Sequence, residues 1–201
     1  MELDLEKASA VQSLEVIPTN TLVELTMEIT PGNLGPDGLL KRTAKGDATG
    51  ISATYTVQGG QYAGRKLRLF HVLEGPTVGH EAARSITLAL LRAIREATRG
   101  VDPRDNSAMA IAQRSGAELS HFIGVRFLAE LAIERGGRKP DGTNWPDKNI
   151  IGKVLRVGDP GYRQLEQTTP APITQPTTPP PTPSGTPSVV QLGVAKPGWA
   201  S

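Results

Sequence analysis

Three short stretches of the 201-residue chain concentrate basic side chains, and aromatic rings lie beside them. The stretch 65–72 holds Arg65, Lys66 and Arg68 with no acidic residue, and Phe70 follows two positions after Arg68. The stretches 31–47 and 135–148 contribute Lys41, Arg42, Lys45, Arg135, Arg138, Lys139 and Lys148. Together the three stretches carry ten bases and four acids, whereas the rest of the chain carries twelve bases and sixteen acids. The net charge of +2 therefore conceals a polarised molecule.

This combination predicts a surface that binds single-stranded nucleic acid. Basic side chains bind phosphates by releasing counterions, and exposed aromatic rings stack on unpaired bases at about 1–3 kcal/mol per base. Alternation along a strand places Phe70 on the same face as Lys66 and Arg68, so Phe70 is the first candidate for stacking. Packing under a helix or loop is an open alternative for Phe70. For Tyr62 and Trp145, which lie in turns, loop anchoring and base stacking are both open.

The residues that catalysis needs are absent or wrongly spaced. The chain has no cysteine, which excludes disulfides, thiolate zinc sites and thiol nucleophiles. The glycine-rich run 59–66 lacks the Lys-Ser/Thr pair of a phosphate-binding loop and leads into a strand. His71, His80 and His121 show no metal-ligand spacing. We therefore predict a binding protein that is not an enzyme and needs no metal or cofactor. A nucleic-acid enzyme whose site is assembled in space is the weakest alternative.

Alternating apolar residues predict five β-strands, near 21–29, 49–57, 65–72, 125–134 and 148–155. A helical pattern over 80–99 has an apolar face and, opposite to it, a basic stripe that we expect to be solvated, with a further nucleic-acid contact as the alternative. The apolar face consists of Ala83, Ile86, Leu90, Ile94 and Ala97, and the stripe of Arg84, Arg92, Arg95 and Arg99. A second, short helix is expected from 105 or 106 to 114.

The predicted class is mainly β with one long helix, in the order β-β-β-α-β-β. This is the order of a five-stranded OB-fold barrel, and a different small barrel or sandwich is the alternative. In an OB barrel, ligands meet the outer surface of the second and third strands and the loops that join strands one to two and four to five. The three basic stretches occupy these places, so we expect them to converge in one cleft.

We divide the chain into an N-terminal extension (1–14), a folded domain (15–165) and a tail (166–201) rich in proline and threonine. The tail is expected to be disordered because it cannot bury enough apolar surface to offset its ordering entropy. Trp199 lies near its end, where a partner-binding role and a solvated terminus are both open. The sequence shows no signal peptide and no membrane span, which predicts a cytoplasmic protein.

Several motifs resemble a family of bacteriophage and prophage proteins across residues 15–162. The motifs are 55–57, the turn Gly60-Gln61-Tyr62-Ala63-Gly64-Arg65-Lys66, 90–103, 127–134 and 146–151. The resemblance implies an OB-type single-stranded DNA-binding protein of a replication or recombination module, located in the bacterial host cytoplasm. It maps Tyr62, Arg65, Lys66 and Lys148 onto the family's pattern.

Two features depart from that pattern. Family members carry more aromatic residues on strand three, where this chain has Arg68 and His71. Residues 167–201 contain no aspartate or glutamate, although many single-strand binders recruit partners through an acidic tail tip. Weaker stacking is therefore expected here, and recruitment through such a tip is not.

The leading hypothesis is a sequence-independent single-stranded DNA-binding protein, with phage or host replication proteins as further partners and self-association as an open question. An alternative is an interaction module of that machinery without direct DNA contact. The predicted nucleic-acid-binding residues are Lys41, Arg42, Lys45, Tyr62, Arg65, Lys66, Arg68, Phe70, Arg138, Lys139, Trp145 and Lys148, and Trp199 is the candidate for partner binding.

Overall fold

A computed structural model of the chain describes residues 15–167. Within this part, six strands form one antiparallel sheet: β1 (Leu22–Thr30), β2 (Lys41–Arg42), β3 (Thr49–Gln58), β4 (Lys66–Glu74), β5 (Arg126–Glu134) and β6 (Lys148–Val154). Two α-helices, α1 (Val78–Arg99) and α2 (Ala108–Arg114), and a 3-10 turn (Leu119–Phe122) lie between β4 and β5. The mainly β class and the place of the long helix are confirmed. The predicted N-terminal extension, all but the first two residues of the predicted disordered tail, and the partner-binding candidate Trp199 lie outside the described residues.

The strand pairing is organised around β1 and β3. β1 pairs with β3 on one side and with β5 on the other, and β6 pairs with β5. β3 pairs with β4 along its other side. The two-residue strand β2, which the sequence pattern does not reveal, forms where the first loop folds back on the start of β3. In the described residues no hydrogen-bonded ladder joins β4 to β6, so the sheet is open at this point.

The core lies on one face of the sheet, as the alternation predicts. β1 buries Val23, Leu25, Met27 and Ile29, and β3 buries Ile51, Ala53, Tyr55 and Val57. The Tyr55 ring packs edge-on against Phe127 of β5, with 6.2 Å between ring centroids. Burial of each large apolar side chain stabilises the fold by about 1.5–3 kcal/mol.

Helix α1 covers part of this core. The Thr77 side chain caps its start by accepting a hydrogen bond from the His80 backbone N–H, and Gly100 ends it in the left-handed conformation, with φ 66°. Leu91 and Ile94 are buried against the sheet. No described helix combines the length and the hydropathy that crossing a membrane requires.

Two expectations for α1 are wrong. Ile86, assigned to the buried face, is 71% exposed because it borders the gap between β4 and β6, where no strand covers it. Arg95, assigned to the solvated stripe, is buried because α2 packs on this face of α1. Its guanidinium donates to the carbonyls of Gln113 and Ser115, which end α2.

Candidate nucleic-acid interface

The outer face of β4 presents the basic and aromatic residues that alternation predicts. Lys66 and Arg68 are exposed, Leu67 between them is buried, and Phe70 is 39% exposed. Neither Lys66 nor Arg68 has an ion-pair partner among residues 15–167. Their charges are therefore available to an external anion.

The neighbouring strands decide how far this basic face extends. Ser52, Thr54 and Thr56 of β3 lie opposite Phe70, Arg68 and Lys66 in register, and all three hydroxyl side chains are half-buried. The next strand, β1, places the exposed Glu28 beside Thr54. Because neighbouring strands lie about 4.8 Å apart, the β1 acid is roughly 10 Å from the Arg68 position. The face is thus basic along β4 and acidic along β1, which favours an anion near β4.

A cleft lies between β4 and β6, at the open edge of the sheet. It has a volume of about 460 Å³, with α1 as one wall and Leu90 and Ile151 among its apolar lining. Arg68 and Phe70 line it from β4, and Lys148 and Lys153 line it from β6. A smaller hollow beside it is shared by Lys66, Arg68 and Lys148. The structure therefore brings together basic residues that are 80 positions apart in the sequence.

Two of the predicted binding residues are partly engaged within the protein. The Lys148 Nζ lies 3.2 Å from the Glu134 Oε1, in a pair that is about half exposed on both sides. The Arg65 Nη2 donates to the carbonyl of Glu15 at 2.7 Å. Arg65 thereby holds the start of the described chain beside the cleft, so part of its role is structural.

The loop between β5 and β6 carries a second aromatic group with adjacent cations. Trp145 is 59% exposed, and the Lys139 Nζ lies 4.9 Å from its ring centroid, within cation–π distance. Arg138 is exposed in the same loop. Gly136 lets the two ends of this loop pass close to each other. Any residue with a Cβ would clash here, because that atom would stand 1.6 Å from the Trp145 carbonyl oxygen. A hollow lined by Trp145 and Lys148 connects this loop to the cleft.

The basic residues of the loop between β1 and β3 do not line the cleft. Lys41 and Arg42 of β2 pair with Gly50 and Thr49, at the opposite end of β3 from the residues that face Lys66. Thr49, which pairs with Arg42, is seven positions along β3 from Thr56, which faces Lys66, and this corresponds to about 23 Å. Lys45 is exposed in the turn after β2. The structure therefore collects Arg65, Lys66, Arg68, Phe70, Trp145 and Lys148 around the cleft but places Lys41, Arg42 and Lys45 in a separate group.

Tyr62 packs against the hydrophobic core and is half-buried. It borders a hollow on the β1–β3 side of the sheet, together with Gln58 and Gln61. This position makes Tyr62 an anchor of the turn between β3 and β4, whereas Phe70 and Trp145 offer more exposed rings.

Sequence reasoning did not assign Lys153 to the site, and the structure places it in the cleft, where its Nζ also lies 2.8 Å from the Asp159 Oδ1. Glu130 pairs with Lys153 and Leu131 pairs with Ile151, so Gly152 forms a bulge that shifts the alternation. A glycine inside a predicted strand is the available signal for such a bulge.

Sequence reasoning also missed a buried carboxylate. Glu96 is fully buried and accepts hydrogen bonds from Arg92, Arg114 and Arg156. Burial opposes its ionisation, but the bonds from the three guanidinium groups outweigh this effect and hold the pKa of Glu96 below its ordinary value. The cluster ties together α1, α2 and the segment after β6. No local pattern around Glu96 distinguishes it from an exposed helical glutamate.

A pair formed by the buried Tyr55 and the half-buried His71 lies at the edge of the cleft. The Tyr55 hydroxyl and the His71 Nε2 are 2.8 Å apart, and burial lowers the pKa of His71 to about 4. In the unfolded chain the histidine pKa is about 6.5, so the unfolded state binds more protons between these two values. His71 therefore opposes folding progressively as the pH falls through this window.

We expect the free energy of unfolding to fall by up to about 3 kcal/mol from pH 6.5 to pH 4 through His71 alone. Urea unfolding of the wild type and of His71→Gln, measured across this range, isolates the contribution. The glutamine does not titrate and can still bond to Tyr55. Equal pH dependence of the two proteins would contradict the assignment.

The comparisons with known proteins place the chain in no family. No family model, no curated protein and no solved structure matches it significantly.

Proposed function

We propose that the protein binds single-stranded DNA without sequence preference, through the outer face of β4 and the cleft between β4 and β6. The observation that carries this proposal is the exposure of Phe70 on the same strand face as Lys66 and Arg68, two cations without protein partners in the described residues. A cationic groove beside an exposed ring suits a flexible polyanion with unpaired bases. The protein would coat single-stranded DNA during phage replication or recombination, a role that rests on the motif resemblance.

The strand pairing supports an OB-type fold. β1 pairs with β3 and β5, β3 pairs with β4, β5 pairs with β6, and α1 follows β4. An OB barrel has the same five-strand order and is often only partly closed. In this assignment, β2 is an addition within the first loop, and the gap between β4 and β6 is the incomplete closure of the barrel. β3 and β4 are then the strands on which OB domains bind oligonucleotides.

The predicted residues divide into two groups under this proposal. Residues around the cleft bind the phosphates and stack on the bases, and Trp145 contributes from the loop between β5 and β6. Lys41, Arg42 and Lys45 extend the path beyond the end of β3, because Lys41 pairs with Gly50 on β3. A DNA strand that contacts both Lys41 and Lys66 must therefore span about 20 Å along β3, whereas Phe70, which faces Ser52, lies only two β3 positions from the Gly50 that pairs with Lys41.

Tryptophan fluorescence tests the proposal directly. The chain has two tryptophans, so in Trp199→Phe all of the signal comes from Trp145. We expect oligo(dT) to quench this signal, with an affinity that falls steeply as the salt concentration rises. Duplex DNA, RNA and a mixed-sequence oligonucleotide serve as competitors. If oligo(dT) causes no quenching at low salt and no gel shift, the proposal is wrong.

Phe70→Ala is expected to weaken oligo(dT) binding about 5- to 150-fold, because loss of one stacked base costs about 1–3 kcal/mol. Phe70 is partly exposed, so the substitution should leave the thermal unfolding midpoint close to that of the wild type. Phe70→Leu is the matched control: it remains apolar but cannot stack. Fluorescence anisotropy of labelled oligo(dT) measures the affinities of the wild type and both variants. If Phe70→Leu binds as tightly as the wild type, Phe70 does not stack on a base.

A further inference from the structure

Ile86 is a large apolar side chain in the cleft between β4 and β6 that the described residues leave largely uncovered. It is 71% exposed and lines the cleft from α1. Leu90 and Ala93 follow it at helical spacing, line the same cleft and are half-buried against the core. The α1 wall of the cleft is therefore apolar along its length and most exposed at Ile86. Packing within the described part of the chain accounts for Leu90 and Ala93 but not for Ile86.

Strand β4 contributes a second exposed apolar group to the cleft. Phe70 lines it beside Arg68, a cation without an ion-pair partner in residues 15–167. Lys148 and Lys153 line the cleft from β6, where each pairs with a carboxylate. Arg68 is therefore the cation most available to an anion that enters. The volume of about 460 Å³ is within the range of about 300–1,000 Å³ that is usual for small-ligand pockets.

We propose that one unpaired base of the bound DNA enters this cleft and packs between Phe70 and Ile86, which makes Ile86 a further DNA-binding residue. This role of Ile86 rests on the proposed function. Every base has a flat face that stacks on an aromatic ring, and the second face is then free to contact an aliphatic side chain. The phosphate beside that base carries the charge that Arg68 binds. The unpartnered Arg68 favours a nucleotide over an apolar peptide side chain, which has no charge for it to bind.

Two labelled oligonucleotides of equal length separate base contacts from phosphate contacts. One is oligo(dT), and the other is a chain of abasic deoxyribose phosphates. Fluorescence anisotropy with the full-length protein measures both. We expect Ile86→Ser to bind oligo(dT) about 5- to 15-fold more weakly than the wild type, because an apolar contact with the base is lost. Its affinity for the abasic strand should change by less than about twofold, since the phosphate contacts remain.

A double-mutant cycle tests whether the two side chains contact the same base. If they do, the loss in Ile86→Ser/Phe70→Ala is smaller than the product of the two separate losses, because the first substitution already weakens the contact that the second removes. Independent losses would place Ile86 and Phe70 on different bases and would overturn the proposal.

The controls separate loss of binding from loss of folding. Isoleucine and serine have similar helix propensities, so Ile86→Ser should keep the wild-type unfolding midpoint. Val78→Ser makes a comparable change at an 83% exposed position of α1 that lines a different hollow, and it should bind both oligonucleotides as the wild type does. Ile86→Leu retains an apolar wall and should keep most of the affinity for oligo(dT).

The outcomes distinguish this role of Ile86 from DNA binding itself. If Ile86→Ser binds oligo(dT) as tightly as the wild type, or loses the same factor on both oligonucleotides, no base contacts Ile86. The proposal is then overturned while DNA binding at β4 stands. If the wild type binds neither oligonucleotide, the proposed function and the role of Ile86 are both wrong.

Discussion

Reversal of two charges on β4, in Lys66→Glu/Arg68→Glu, is expected to lower the affinity for oligo(dT) at least about 100-fold. Both side chains lack protein partners in the described residues and lie on the face that carries Phe70. A hydrogen bond to a charged group contributes about 1.5–3 kcal/mol, so loss of two such contacts amounts to about 3 kcal/mol or more. Anisotropy titrations at several salt concentrations measure the effect.

The salt dependence identifies the lost contacts as phosphate contacts. Each phosphate contact with a single strand contributes about −0.7 to the slope of log K against log salt concentration. The neutral variant Lys66→Gln/Arg68→Gln should therefore reduce the magnitude of the slope by about 1.4. Arg84→Glu/Arg99→Glu changes the net charge by as much as Lys66→Glu/Arg68→Glu does, at exposed positions of α1, and is the matched control for that variant. If it weakens binding as much as the β4 variant does, the binding site is not on β4.

The second large effect concerns stability. Glu96→Gln leaves Arg92, Arg114 and Arg156 without their shared carboxylate, and Glu96 is fully buried. Removal of one partner from a buried ion pair commonly costs about 3–5 kcal/mol, because the remaining charge is uncompensated. We expect the free energy of unfolding, measured with urea at pH 7, to fall by about this amount. Glu81→Gln, in the exposed first turn of the same helix, should cost about 1 kcal/mol or less.

The pH dependence gives an independent check on Glu96. Its pKa is lowered in the folded protein, so its contribution is fully present above the ordinary glutamate pKa and is lost as the pH falls below that value. The difference between the wild type and Glu96→Gln should therefore be constant near neutral pH and shrink in acid. Arg92→Ala, which removes the most exposed of the three arginines, should cost less and provides a variant that folds if Glu96→Gln does not.

Local patterns were sufficient for the long elements. The first two predicted strands, which correspond to β1 and β3, bury all of the side chains that the alternation assigns to the core, such as Val23, Leu25, Met27 and Ile29 of β1. The outward position of Phe70 followed from the same rule. These predictions succeed because one strand face is buried along its whole length, so hydrophobicity fixes the register.

The remaining features depend on contacts between distant segments. Helical spacing assigns Arg95 to the polar side of α1, but the side chain is buried because α2 packs over it. Ile86 fits the apolar face, and only the gap between β4 and β6 decides that it is exposed. The separation of Lys41 from Lys66 depends on strand pairing, which charge counts along the chain do not contain. The residue types therefore predicted a basic surface. They did not predict that Lys41, Arg42 and Lys45 lie apart from the basic residues around the cleft.

The gap between β4 and β6 leaves one side of each strand without a neighbouring strand. Unpaired strands invite intermolecular pairing and aggregation, and natural proteins commonly discourage it with charged side chains and bulges. Lys66, Arg68, Lys148 and Lys153 border this gap, and the bulge at Gly152 interrupts β6. The cations that attract a polyanion would thus also keep copies of the protein apart at high concentration. Alanine at all four positions would remove that repulsion and add insolubility to the loss of binding.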